Sequence, residues 1–304
     1  MAFVGFELRT VAIGAGDIRL RVGGKGPPVL LLHGHPRTHM TWGKVADLLA
    51  PAFTVVCPDL PGFGQSYVPL DSPDSYHSSK KAKAAALVEL MSGLGYDEFF
   101  LVGHDRGSLT AFRMAMDYPE AVKRLVLVDC LPVLEHLERA DWKFARDWHH
   151  WFFFAQPEKP ERVISADPEG WYDKLSPDVM GDEAYADILA AIYRPETVHG
   201  MIEDYRAGIR IDHLHDKADR DAGRKIHWRC SACGRSVTIS NKFMVTPLRS
   251  GGAGRPMSAG SGSIAGIMWP RRIPAPLPRR FPASHAIEEC YGKGISLISR
   301  SAGV

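Results

Sequence analysis

The sequence has little that would place it in a membrane or outside a cell. Its apolar runs, such as "PPVLLLH" and "LVLVDCL", fall far short of the roughly 20 apolar residues a spanning helix needs, so no membrane association is expected. No charged, then apolar, then small-residue leader opens the chain, so no signal peptide is expected. Cysteine is scarce and odd in number, five in 304 residues, which fits reduced thiols in a cytoplasmic protein better than a disulfide framework. There is no internal repeat. Acidic residues almost vanish after Ile226: residues 226–304 carry 11 Lys and Arg against 2 Asp and Glu, whereas the remainder carries 26 against 33. A basic tail can be a nucleic-acid footprint, but no aromatic platform or basic helical face accompanies this one. No nucleic-acid partner is expected, and its Gly, Ser, Pro and Arg content reads as disorder.

What is present reads as alternating strands and helices. "PPVLLLHGHP" (27–36) is a short apolar run stopped by Gly and Pro, hence a buried strand, and Thr38 can cap a helix running to about Leu49. "FTVVCPDLPGFG" (53–64), "FFLVGHD" (99–105) and "VKRLVLVDCLP" (122–132) are further strands; residues 79–94 and 106–119 have helical spacing. This order predicts a parallel sheet between helical layers. Residues 133–215 are rich in Trp, Phe, Glu and His without an evident core strand, as a helical insertion over a sheet edge would be.

"GHDRG" (103–107) leaves a strand and opens a helix. Gly-x-Asp-x-Gly has the spacing of a nucleophile elbow, with Asp105 in the serine position. The turn strains the central residue and needs flanking residues without Cβ. Its side chain then stands at the carboxyl edge of the sheet, where open α/β sheets bind ligands. A plain strand-end Asp capping the helix is the competing reading. "LLHGHP" upstream favours the elbow, because a second oxyanion N–H belongs there.

With "HGHPRTHMTW", "GHDRG", "HHWFFFAQP" (149–157) and "IEDYRAG" (202–208) taken together, the chain resembles the α/β-hydrolases, and among them the fluoroacetate (haloacetate) dehalogenases, over roughly residues 5–226. The resemblance implies an α/β-hydrolase core in residues 1–132, a helical cap in 133–215 and a return to the core in 216–226. It implies no cofactor and no metal, a small-molecule substrate and a homodimer. Asp105 would attack an sp³ carbon and expel halide, and Asp129 would orient a general-base histidine. The backbone N–H groups of His35 and Arg106 would meet the oxyanion. His150, Trp151 and Tyr205 would donate to the halide, and the Arg106 side chain would hold the substrate carboxylate. Where the family carries a second carboxylate-binding arginine this chain has Leu109, one turn along the same helix face, which leaves the preferred acid open. An epoxide hydrolase is the near alternative: Tyr205 and Tyr193 could serve as epoxide donors, and Arg106 argues against it.

After residue 226 the fold requires two more core strands, a loop with the general-base histidine and a closing helix, and none is legible. "KIHWRCSACG" (225–234) instead offers His227, Cys230 and Cys233, with Cys290 further on, as a zinc or redox set. A structural zinc needs four suitably spaced ligands, and no second Cys-x-x-Cys exists. A shifted reading frame accounts for more. If each codon begins at the third base of the residue in the sequence, His227 to Cys233 can read Pro-Leu-Ala-Val-Leu-Cys-Leu, an apolar strand. "GIMWPRRIPA" (266–275) can then read Gly-His-His-Val-Ala-Glu-Glu-Asp-Pro-Gly, and Gly-His before an acidic pair is similar to the family's general-base loop. The expectation is a frameshift near Ile226, with residues 227–304 an aberrant, poorly ordered tail without the catalytic histidine.

Overall fold

The computed structural model describes residues 2–230 and 235–240, with residues 227–230 and 235–240 described by their backbone alone. Among the described residues six strands form one sheet: β1 (Glu7–Ile13), β2 (Gly16–Gly24), β3 (Pro28–Leu32), β4 (Thr54–Pro58), β5 (Phe99–His104) and β6 (Val122–Val128), in the order β1-β2-β4-β3-β5-β6. The β1/β2 and β2/β4 pairs are antiparallel and β4, β3, β5 and β6 run parallel. Strand alternation divides β3 between two cores. Leu30 and Leu32 pack with Leu87, Leu90 and Phe112 from α2 (Lys80–Gly93) and α3 (Arg106–Asp117). Val29 and Leu31 pack with Trp42, Ala46 and Leu49 around α1 (Gly43–Leu49). Helices therefore cover both faces. Thr38 does cap, but a 3₁₀ turn (His39–Trp42) intervenes before α1, with the Thr38 hydroxyl accepting from the Met40 N–H at 3.3 Å.

The parallel register sets what meets at the carboxyl edge. Leu32 lies opposite Gly103, and His104 lies opposite Val128. The residues just beyond these strands, His33 to His35, Asp105 and Asp129, thus emerge side by side. Among the described residues nine helices follow: α4 (Val133–Glu138), α5 (Trp142–Asp147), α6 (His150–Phe153), α7 (Lys159–Ala166), α8 (Pro168–Trp171), α9 (Pro177–Met180), α10 (Asp182–Ile192), α11 (Pro195–Ala207) and α12 (His213–Asp221), a π-helical turn at Gly208–Asp212 joining the last two. Among the described residues no helix is long and apolar enough to cross a membrane.

On α11, His199 joins two otherwise separate segments. Its Nε2 is 2.7 Å from Asp71 in the β4–α2 connection, and its Nδ1 is 3.1 Å from Glu161 on α7. The hydrogen bond to Glu161 outweighs burial and, with Asp71, raises the imidazole to about 9. A raised folded-state pKa stabilises fully below the ordinary value of 6.5 and is withdrawn as pH climbs through the folded one. Stability measured by denaturant is expected to decline between pH 6.5 and about 9. His199→Gln should flatten that decline, and an equal slope in both proteins would disprove the assignment.

The chain then enters β7 (Lys225–Cys230), which pairs antiparallel with β8 (Arg235–Ser240) as a separate two-stranded sheet. No strand was expected after Ile226. "RSVTIS" has the β-branched content of a strand, and as a hairpin it needs no place in the main sheet. The side chains of His227, Cys230, Cys233 and Cys290, the Gly-His frame at 266–275 and the rest of the tail lie outside the described residues.

Candidate active site

The turn at 103–107 is a strained elbow. Asp105 has φ 51° and ψ −121°, a region L-residues avoid, and precedes the first residue of α3. A Cβ on Gly107 would lie 2.3 Å from the Leu32 carbonyl oxygen, and one on Gly103 2.4 Å from the Gly107 carbonyl. Only glycine lets the helix start so close to the strands. Gly34 allows the approach from the other side, since a Cβ there would lie 2.4 Å from Asp105 Oδ1. That oxygen accepts the His35 N–H at 2.8 Å, and the Arg106 amide, at the start of α3, belongs to the helix's orphan donors.

The Arg106 side chain is buried and held from three directions. Its Nε donates to Asp204 Oδ2 and its Nη2 to the Asp204 carbonyl oxygen at 2.8 Å. The guanidinium lies 3.9 Å from the Tyr205 ring centroid and 5.0 Å from that of Trp151. Its Nη1 has no hydrogen-bond partner among the described residues. A fixed fork with one free end is suited to a ligand oxygen. Burial opposes the Arg106 charge, but Asp204, with Tyr205 and Asp105 adding to it, raises the guanidinium above its ordinary value. The sequence reading missed Asp204 and its other partners: Lys80 Nζ at 2.9 Å and Lys83 Nζ both donate to Asp204 Oδ1. Despite burial, Arg106, Lys80 and Lys83 hold the Asp204 carboxyl well below the carboxylate range.

His150 and Trp151 both pack against Tyr205. The Tyr205 ring stands 5.6 Å from His150, 5.9 Å from Trp151 and 5.2 Å from His35. Burial, only partly offset by Asp105, lowers His150 to about 4, and burial holds His35 well below its ordinary value. Both rings are neutral at pH 7 and each has one N–H to donate. His149 is exposed beside His150 and takes no part. Tyr193 also does not belong: it is 57% exposed, and its hydroxyl donates to Glu169. Tyr172 occupies the second tyrosine place instead, with its hydroxyl 3.2 Å from His35 Nε2 and burial raising its phenol. Its surroundings, "GWYDK", gave no signal beyond aromatic content.

Asp129 directly follows β6 with φ 58°. Its carboxyl is raised by burial, with His104 opposing and Asp105 adding. Among the described residues none donates a hydrogen bond to it. Leu109 is buried one turn beyond Arg106 and faces Lys80, Arg113, Asp212 and Asp216. Arg113 is committed to Asp117 and Asp219 and cannot replace a second arginine in the site. One described cluster has the chemistry of a metal site, His39, Asp59 and Asp187. Arg19 reaches Asp59 at 3.3 Å and Asp187 at 2.7 Å, so a side-chain cation already serves these carboxylates.

A family model for the alpha/beta hydrolase fold matches residues 27–164. The chain is 41% identical to a fluoroacetate dehalogenase from Burkholderia sp over 232 residues, 74% of this chain and 76% of that protein. The chain belongs to the α/β-hydrolase family. A soluble epoxide hydrolase from Corynebacterium sp. is 32% identical over 62% of this chain and 68% of its own. The solved structure of ALR0039 from Nostoc sp PCC 7120 superposes with a TM-score of 0.71 and 41% identity, covering 74% of this chain and 79% of that one. For an α/β-hydrolase, the strand-to-helix elbow and the two approaching strand ends are the expected geometry of a nucleophile.

Proposed function

We propose that the chain encodes a hydrolase that cleaves the carbon–halogen bond of a small 2-halo carboxylic acid through an aspartyl ester. The observation that carries this reading is the buried Arg106 guanidinium, directly after Asp105 in the elbow and fixed by Asp204, with no described residue bonded to Nη1. A substrate carboxylate on Nη1 places its α-carbon toward the nucleophile. An Asp105 oxygen forms the new bond to that carbon as halide leaves with the bonding electrons, so no proton is needed in this step. His150, Trp151 and Tyr205 have side-chain donors that no described residue uses, and they supply the halide site. In the second step water attacks the ester carbonyl, whose oxygen the His35 and Arg106 N–H groups stabilise, and Asp129 orients the base that activates the water. The similarity to the Burkholderia enzyme supports the substrate class.

The same reading makes residues 1–132 the core, 133–215 the cap and 227–304 the product of a frameshift near Ile226. The similarities to the Burkholderia protein and to ALR0039 each span 74% of this chain, in keeping with a foreign tail. The substrate is a small molecule, the setting the cytoplasm and the assembly a homodimer. Leu109 in place of a second arginine shifts preference toward a bulkier or less charged acid than haloacetate.

A second reading, epoxide hydrolysis, is favoured by one observation: Tyr172 and Tyr205 flank His35 from opposite cap segments. Halide release from a panel of 2-halo acids, beside turnover of simple epoxides, decides between them when run on this chain and on a frame-corrected chain. Halide release by the corrected chain is the expected result. Epoxide opening without halide release would replace the first reading with the second.

A further inference from the structure

We propose that Lys83, buried behind the wall of the site, is a specificity-determining residue that selects an anionic substrate over its neutral isostere. The proposal rests on the reading of Asp105 as the alkylated nucleophile. Lys83 does not touch the site. Its Nζ donates to Asp204 Oδ1 and lies 4.7 Å from the Phe63 ring centroid, and Phe63 in turn meets His35 in a T-shaped contact at 6.2 Å. One carboxylate, Asp204, therefore serves three buried cations: Arg106, Lys80 and Lys83. Asp212 compensates Lys80 at 3.2 Å. Setting aside the nucleophile Asp105, which also acts on Arg106, three positive charges against two negative ones leave this cluster with one in excess, and its terminus toward a ligand is Arg106 Nη1.

The chemistry asks for such an excess. A carboxylate nucleophile attacking a carboxylate substrate brings two like charges together where little water screens them. Arg106 alone cannot supply the balance, because Asp204 already neutralises it. Lys83 makes Asp204 oversubscribed and leaves the guanidinium charge available to a ligand. The strain of this arrangement is visible in Lys83 itself. Burial, then Lys80 and Arg106, lower it to about 8 although Asp204 opposes them. The charged groups around it are Lys80 on its own helix, Asp204 on α11 and Arg106 on α3, with the neutral His33 at the end of β3. Asp216, raised to about 7 by burial, faces Leu134 and Arg113 instead.

The test compares alkylation of Asp105 by chloroacetate and by chloroacetamide, of nearly equal size, followed by peptide mass mapping of the intact chain. Lys83→Met balances the cluster. It is expected to lower the chloroacetate-to-chloroacetamide rate ratio about tenfold while the chloroacetamide rate changes by no more than about twofold. In the unsubstituted chain the same ratio should fall as pH rises through about 8, and this arm decides the matter if the variant does not fold. Alkylation with a ratio indifferent to both Lys83→Met and pH overturns the proposal alone. Absence of alkylation of Asp105 by either reagent in the unsubstituted chain overturns the reading of the site, and the proposal with it.

Discussion

Incubated with a haloacetate, the chain with its present C-terminal sequence is expected to stop at a carboxymethyl ester on Asp105. The first step needs only what residues 2–226 provide: a carboxylate at a strained turn, a guanidinium for the acid end and donors for the leaving halide. The second step needs a base that draws a proton from water, and Asp129 receives no hydrogen bond from a described residue. His104 is nearest in sequence, yet burial lowers it and it sits inside the elbow itself. Intact-mass spectra should show one added carboxymethyl group that persists, with halide released to about one equivalent. Asp105→Asn should abolish the adduct. Sustained halide release beyond one equivalent would refute the expectation, since it would require a base within the chain as it stands.

The largest effect on stability is expected at Asp204. Asp204→Ala leaves Arg106, Lys80 and Lys83 buried around a missing carboxylate. Breaking a buried ion pair from one side costs about 3–5 kcal/mol, which in a domain of this size lowers Tm by roughly 10 °C. Asp204→Asn keeps the shape and one acceptor oxygen and should lose less. The sign with pH follows from the lowered carboxyl. The stability it contributes is present above the ordinary carboxylate range and is lost as pH falls below it. The unsubstituted protein should therefore weaken in acid more steeply than Asp204→Ala. Thermal unfolding of both proteins from pH 3 to pH 7 checks both statements, and a Tm change of less than about 2 °C would remove Asp204 from the account.

The parallel strands and the elbow were legible because each rests on local chemistry: short apolar runs ended by Gly and Pro, and glycines forced by close backbone approach. The antiparallel β1 and β2 were not. "ELRTVAI" is largely exposed and "GDIRLRVGG" buries only Ile18 and Leu20, so neither shows a continuous apolar run. The charge cluster was hidden for another reason. Lys80, Lys83, Leu87 and Leu90 share one face of α2, and that spacing placed two lysines inward among apolar residues. Lysine at such positions is ordinarily solvated, and only the tertiary partner on α11, more than a hundred residues away in sequence, makes burial tolerable. Tyr172 and Tyr193 look alike as sequence, and their different places follow from how the helices after β6 fold: Tyr172 meets His35, and Tyr193 is exposed.

Adjacent residues of α11 grip one guanidinium by both its edge and its face, Asp204 by charge and Tyr205 by its ring. That helix is thereby bolted to the sheet edge through the very group proposed to receive the ligand. It cannot swing away as a hinged door without stranding Arg106 in apolar surroundings. Trp151 packs α6 against the same guanidinium, whereas α8 meets this part of the molecule through ring contacts of Trp171 with Phe153 and Phe154, so α8 is the helix here without such a rivet.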